Sequence, residues 1–192
     1  MNENSYLELL RVSLVELLLK YRRNPYYYFY EEDIRVELAR LLIDKFSTIK
    51  VEHSQNIITT SPVKCEYPST SDNKKRHDIV IVNQNGLKDI YNLDLSVIIE
   101  LKLGSKSYDR CSEFKEDIIK ILGYDLNIKL GIALYFYQDE INHSNFLGWF
   151  SDIINEFILV DIEKLTLEPN CLNTFIITPS QSVLKAISYK SG

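Results

Sequence analysis

The chain opens with apolar residues at helical spacing. From Ser5 to Arg23, leucines recur every three or four positions, which predicts an amphipathic helix. Asn24-Pro25 ends this helix, because proline disfavours helical geometry in the residue before it. A second leucine-rich stripe predicts a helix from Glu31 to Phe46, and its acidic first residues suit the positive end of a helix dipole.

Five aromatic residues separate these two helices, in the run Tyr26-Tyr27-Tyr28-Phe29-Tyr30. We interpret this run as a partly buried segment that packs between the helices. The alternative is a surface on which nucleic-acid bases stack.

After residue 49 the apolar pattern takes the period of β-strands. Short strands are expected within Lys50–Thr60, and longer ones at Asp78–Val82 and Ser96–Leu103. The polar stretch Ser61–Lys75, which contains two prolines, predicts an exposed loop. The stretch Asn83–Gly86 predicts the start of a turn.

The second half of the chain alternates between helix and strand. The pattern predicts a helix at Glu113–Tyr124, a strand at Leu130–Tyr137, a helix at Asn145–Phe157, strands at Ile158–Ile162 and Thr174–Thr178, and a closing helix at Ser180–Tyr189. This order predicts an α/β fold, with α+β as the alternative, in which helices flank a central mixed β-sheet. We expect one domain over residues 1–192, made of an N-terminal helix (1–24), a core (31–137) and C-terminal elements (138–192).

Composition restricts the class of protein. The chain has 192 residues and a formal charge of −5, from 22 lysines and arginines against 27 aspartates and glutamates. Its three cysteines are far apart, which argues against a disulfide framework and favours a reducing, cytoplasmic environment. No apolar run is long enough for a membrane helix, so we expect no membrane association. The acidic balance is unusual for a nucleic-acid-binding protein, because phosphate contacts favour clustered lysine and arginine.

One group of residues indicates chemistry. Residues two apart in a strand point to the same face, so Glu100 and Lys102 should emerge side by side. If the two strands pair as a hairpin centred near Asp89, Asp78 lies opposite Glu100. Like charges directly opposite each other are unfavourable unless something lies between them, and a Mg²⁺ ion would resolve the conflict. The alternative is a solvated strand face with an ion pair between Glu100 and Lys102.

The motif Asp78…Glu100-Leu101-Lys102 resembles that of the PD-(D/E)xK nuclease superfamily, although His77 replaces the proline of the family's name. The resemblance covers residues 31–137. It implies a restriction-endonuclease-like fold and a Mg²⁺-dependent nuclease, with DNA as the expected substrate and Mn²⁺ able to substitute. A catalytically inactive module of the same fold, binding nucleic acid or protein, is the alternative. The resemblance also suggests a homodimer.

The same resemblance assigns roles to residues of this chain. Asp78, Glu100 and the main-chain carbonyl of Leu101 would hold the metal, and Lys102 would position or activate the attacking water. In the family, a glutamate on the preceding helix contributes to the site. On the helix 31–46 both Glu31, on the buried stripe, and Glu37, at its edge, could take that place.

Basic residues lie close in sequence to the motif. Lys74-Lys75-Arg76 runs directly into Asp78, and Lys106 and Lys120 follow Lys102. We expect these residues to contact substrate phosphates, with solvated loop residues as the alternative. We interpret His77 as a loop-end histidine without a role, with substrate contact as the alternative, and Asp117 as a surface acid, with a supporting role in the site as the alternative.

Overall fold

The computed structural model describes residues 3–69, 72–83, 88–89, 93–107, 110–123, 128–140, 143–179 and 182–189. The helices are α1 (Glu3–Arg23), α2 (Glu31–Lys45), α3 (Cys111–Leu122) and α4 (His143–Phe150), with short 3₁₀ turns at Pro25–Tyr27 and Ile162–Lys164. The strands are β1 (Ile49–His53), β2 (Asn56–Thr60), β3 (Val63–Ser69), β4 (Asp72–Val82), β5 (Lys88–Asp89), β6 (Leu95–Gly104), β7 (Leu130–Tyr137), β8 (Ile158–Asp161), β9 (Leu172–Ile177) and β10 (Ser182–Ser188).

The centre of the molecule is a seven-stranded mixed sheet of order β3-β4-β6-β7-β9-β10-β8. The contacts β6–β7 and β7–β9 are parallel, and the other contacts in this sheet are antiparallel. A smaller sheet of order β2-β1-β5 accompanies it. This architecture confirms the α/β prediction. The C-terminal strands β8, β9 and β10 belong to the same sheet as the strands of the 31–137 core.

Helices cover both faces of the seven-stranded sheet, because its inner strands are apolar on both faces. Alternation along β4 and β6 sends Ile79 and Ile99 into a core with α1 and α2, and Val80 and Ile98 into a second core with α3 and α4. Every residue of β6 except Lys102 is buried. Lys102 is therefore the one position at which this strand reaches solvent.

Two segments differ from the sequence predictions in kind. Within the stretch Ser61–Lys75, predicted as a loop, the described residues 63–69 and 72–75 are strand: β3 pairs antiparallel with β4, and its Pro68 is tolerated because β3 is the edge strand. Within the segment 180–189, predicted as a helix, residues 182–188 form β10, which lies between β9 and β8. A short apolar run buried on both faces has no periodicity that separates strand from helix.

Three smaller predictions also change. The helix predicted at Asn145–Phe157 ends at Phe150, where the chain turns and the N–H groups of Ile153 and Ile154 both donate to the carbonyl of Phe150. In the aromatic run the packing interpretation holds only for Tyr28, which is buried, whereas the other four rings are exposed. The turn predicted from Asn83 falls mainly on residues 84–87, which lie outside the described part of the chain.

None of the described helices is both long and apolar enough to cross a membrane.

Candidate active site

The pairing of β4 with β6 brings Asp78 next to Glu100. The strands are antiparallel with Ile79 opposite Ile99, and the two pairs that follow keep the same register. This is the register of a hairpin centred near Asp89, as the sequence predicted. The pairing ends at Ile79 and Ile99, and Asp78 and Glu100 are the next residue along each strand.

At this point side-chain hydrogen bonds replace the backbone ladder. The N–H of Leu101 donates to Oδ2 of Asp78 over 2.7 Å, and the N–H of Asp78 donates to the carboxylate of Glu100. β4 then leaves β6 and continues beside β3. The edge of β6 is therefore open at Leu101 and Lys102, so side chains from both helical layers can meet there.

Glu100 is enclosed, with only 1% of its side chain exposed. Its Oε1 lies 2.6 Å from Nδ1 of His77 and 2.8 Å from Nζ of Lys120. Burial raises the pKa of Glu100 to about 7, against the opposing effect of the Lys120 ammonium. The alternative of a solvated strand face is wrong, because a solvated glutamate would not be buried.

Asp78 shares this electrostatic environment. Burial and the charge of Glu100 raise the pKa of Asp78 to about 7, although the N–H of Leu101 favours the ionised form. Nη1 of Arg35, on α2, lies 3.3 Å from Oδ1 of Asp78 and offsets part of the charge. Glu100 is thus fully enclosed and Asp78 largely so, with 13% of its side chain exposed, and each carboxyl is harder to ionise than in water.

Lys102 lies between the two helical layers. Its Nζ is 3.2 Å from Oδ2 of Asp117 on α3 and 3.5 Å from Oε2 of Glu31 on α2. Burial opposes the charged form, but the two acids outweigh it and raise the pKa of Lys102. The side chain is therefore an ammonium at neutral pH, held in place by two carboxylates.

The structure separates the two glutamates that the sequence left as alternatives. Glu31 contacts Lys102, and burial raises the pKa of Glu31. Glu37 instead pairs with Lys20 over 2.7 Å and with Arg40 over 2.9 Å, and these hydrogen bonds lower its pKa to about 2. Glu31 thus lies beside Lys102, whereas Glu37 forms ion pairs with one cation of α1 and one of α2.

The basic residues near the motif have different surroundings. Lys120 binds Glu100 and also donates to the carbonyl of Arg76 over 3.0 Å, so it belongs to the cluster of polar side chains around Glu100. The guanidinium of the exposed Arg76 donates to the carbonyl of Glu66. Lys106 is exposed on the loop after β6, and the side chains of Lys74 and Lys75 lie outside the described part of the chain.

Two side chains that contact Glu100, Lys102 or Lys120 were not predicted as site residues from the sequence. His77 is buried against Glu100, and Asp117 lies 3.2 Å from Lys102 and 3.3 Å from Lys120. The only sequence signal for Asp117 is its place one helical turn before Lys120 on α3, which aligns both side chains on one face. For His77 the signal is its place directly before the proposed ligand Asp78.

The donor set is compatible with a divalent cation held through few protein ligands. Among the described residues, no three or more His, Cys, Asp or Glu side chains are arranged to hold a metal ion. Mg²⁺ commonly takes only one or two carboxylates, and completes its octahedron with waters and substrate phosphate oxygens. The raised pKa values of Asp78 and Glu100 fit such an ion, since a nearby cation would relieve both.

Comparisons with models of protein families, with curated proteins and with solved structures find no match for this chain.

Proposed function

We propose that the protein is a Mg²⁺-dependent nuclease that hydrolyses phosphodiester bonds, with DNA as its substrate. The observation that carries the proposal is the closeness of Asp78 and Glu100, one largely and one fully buried carboxylate on adjacent strands, at the open edge that also presents Lys102. Two neighbouring carboxylates that are withdrawn from water repel each other, and a metal ion between them would relieve that repulsion.

Asp78 and Glu100 would hold the metal, together with the main-chain carbonyl of Leu101. A bound divalent cation supplies Lewis-acid stabilisation of the phosphate charge and makes its bound water more acidic. Lys102 stays protonated, so it donates hydrogen bonds rather than accepting a proton. It orients the water and neutralises charge that develops on the phosphate.

The supporting residues act through Lys102 and Glu100. Asp117 and Glu31 hold the ammonium of Lys102 from the two sides of the sheet. His77 and Lys120 hold the carboxylate of Glu100 from the α3 side. Groups that are already held in position do not have to reorient during the reaction. This preorganisation is the usual source of electrostatic catalysis.

The test is a cleavage assay on linear, circular and single-stranded DNA and on RNA, with Mg²⁺, Mn²⁺ or EDTA. Glu100→Gln and Lys102→Ala should abolish metal-dependent cleavage. Lys115→Ala, on the exposed side of α3, is the matched control and should cleave like the wild type. Cleavage that persists in purified Lys102→Ala would contradict the mechanism.

One observation favours the second candidate, a binding module that keeps the fold without the chemistry. Both His77 and Lys120 contact the same oxygen of Glu100, so a metal ion must share that carboxylate with them. Calorimetric titration with Mn²⁺ separates the two candidates. Binding that is lost in Asp78→Asn supports the nuclease, and no heat at millimolar Mn²⁺ supports the binding module.

A further inference from the structure

The segment between α1 and α2 presents four exposed aromatic rings. Their exposed fractions are 63% for Tyr26, 68% for Tyr27, 77% for Phe29 and 71% for Tyr30. We refer to these four residues as the aromatic patch. Isolated exposed apolar residues are ordinary, but four aromatic rings within five consecutive positions form a surface that needs an explanation.

The backbone beneath the aromatic patch is fixed. Tyr28 is buried and its ring lies 5.9 Å from that of Tyr21 in α1. The side-chain amide of Gln138 donates to the carbonyl of Tyr28 over 2.8 Å. The carboxylate of Asp33 accepts the N–H groups of Phe29 and Tyr30, each over 2.9 Å. The exposed rings are therefore carried by an anchored segment, which lowers the entropy lost when a ligand binds.

The aromatic patch is continuous with the candidate active site. Tyr30 directly precedes Glu31, whose carboxylate lies 3.5 Å from Nζ of Lys102 and 3.7 Å from the guanidinium of Arg110. Near the other end, Tyr27 lines a shallow depression together with the exposed Arg23 and with Glu37. Cations thus lie near both ends of the aromatic patch, in each case beside a carboxylate.

We infer that the aromatic patch binds a single-stranded segment of nucleic acid and leads it to the proposed active site. This inference rests on the proposed nuclease function and specifies its substrate class. Bases stack on aromatic side chains whatever their sequence, while cations along the path contact the phosphates. A duplex does not offer its base faces for stacking, so the preferred substrates are single strands, or duplexes with a single-stranded extension.

Fluorescence anisotropy in EDTA tests binding separately from cleavage. The probes are labelled oligo-dT, oligo-U and a blunt duplex of the same length. Phe29→Ala and Tyr30→Ala remove exposed rings, while Phe29→Tyr and Tyr30→Phe keep an aromatic ring at each position. Tyr189→Ala removes an equally exposed ring at the end of β10 and is the matched control.

Each alanine variant should raise the Kd for the single strands about five-fold or more, which is the lower limit for losing one stacked base. The ring-retaining variants and Tyr189→Ala should bind like the wild type, and duplex binding should change less than two-fold. Absence of single-strand binding by the wild type, equal binding by the alanine variants, or an equal loss for duplex would each overturn the inference.

The readouts distinguish this inference from the proposed function. Ring-dependent binding of single strands without any metal-dependent cleavage would reject the nuclease and keep the binding surface. Metal-dependent cleavage that Lys102→Ala abolishes, together with unchanged binding by Phe29→Ala and Tyr30→Ala, would keep the nuclease and reject the aromatic patch as its substrate contact.

Discussion

The ammonium of Lys120 lies 2.8 Å from Oε1 of Glu100, so a residue of α3 compensates a carboxylate that is almost completely buried in the sheet. The pairing joins the helix to a strand that precedes it in the chain. Its contribution to stability depends on whether Glu100 is ionised, because only the carboxylate needs the cation.

We therefore expect Lys120→Met to lower the free energy of unfolding by about 3 kcal/mol at pH 8, since it leaves a buried charge uncompensated. The loss should shrink towards pH 5. The folded-state pKa of Glu100 lies above the ordinary value of a glutamate, so the folded protein takes up a proton as the pH falls through about 7, which removes the penalty. Urea unfolding at both pH values measures the difference.

Lys115→Met is the matched control for this variant. Lys115 pairs with Asp152 over 2.8 Å on the exposed side of the same helix, where an ion pair contributes about 0–1 kcal/mol. A loss in Lys120→Met that is the same at pH 5 and pH 8 would show that the cation does not act through Glu100.

The two glutamates of α2 should respond in opposite ways. Glu31→Gln should reduce the cleavage rate at least ten-fold with little change in stability, because it removes one of the two acids that hold Lys102. Glu37→Gln should leave cleavage unchanged and lower the free energy of unfolding by about 1 kcal/mol at pH 7. Single-turnover cleavage and urea unfolding provide the two readouts.

The lowered pKa of Glu37 determines how the stability difference between the wild type and Glu37→Gln should change with pH. The folded pKa of Glu37, about 2, lies below its ordinary value of 4.5, so its stabilising effect is present above pH 4.5 and disappears as the pH falls towards 2. The wild type and Glu37→Gln should therefore converge in stability at acidic pH. Divergence there, or slower cleavage by Glu37→Gln, would argue against this assignment.

Divalent cations should stabilise the protein through the two neighbouring carboxylates. For a dissociation constant of about 1 mM, about 10 mM Mn²⁺ adds about 1.4 kcal/mol. That corresponds to a rise in Tm of about 3–6 °C for a chain of this size. Asp78→Asn and Glu100→Gln should lose the shift, whereas Glu163→Gln, an exposed acid outside the site, should keep it. Equal shifts in all four proteins would mean that the ion binds elsewhere.

Two glycines provide a test of packing around the sheet. A Cβ at Gly131 in β7 would lie 2.6 Å from Cγ2 of Ile121, so Gly131→Ala should cost about 1–3 kcal/mol through overpacking. A Cβ at Gly148 in α4 meets nothing within 4 Å, so Gly148→Ala should stabilise by up to about 1 kcal/mol. Urea unfolding of the pair checks both signs, and a gain from Gly131→Ala would contradict the packing described.

The sequence predicted those parts of the fold that depend on local pattern. The β4–β6 register follows from alternation and from the position of the connection, so Ile79 opposite Ile99 could be anticipated. The polar β3 could not, because its backbone is satisfied by pairing with β4 and its side chains carry no strand period. In β10, burial on both faces removes the alternation that identifies a strand.

The contacts of the candidate site likewise divide into those that the sequence predicts and those that depend on tertiary packing. Asp78, Glu100 and Lys102 belong to one hairpin, so their proximity follows from the register alone. Asp117 and Lys120 come from α3, and Glu31 from α2, so their contacts depend on how the helices cross the sheet. Helical spacing left Glu31 and Glu37 as equal alternatives, and only the packing of α2 separates them.

The placement of β7 has a consequence for how quickly the protein folds. β7 is parallel to both β6 and β9 and is buried along its whole length. Parallel neighbours cannot be joined by tight turns, so each contact needs a long crossover to close first. The β4–β6 pair joins segments that are close in sequence and can form early. The β6–β7 and β7–β9 pairs join segments that are distant in sequence, so we expect them to form later. We therefore expect the formation of the β7 contacts, rather than that of the β4–β6 pair, to limit the rate of folding.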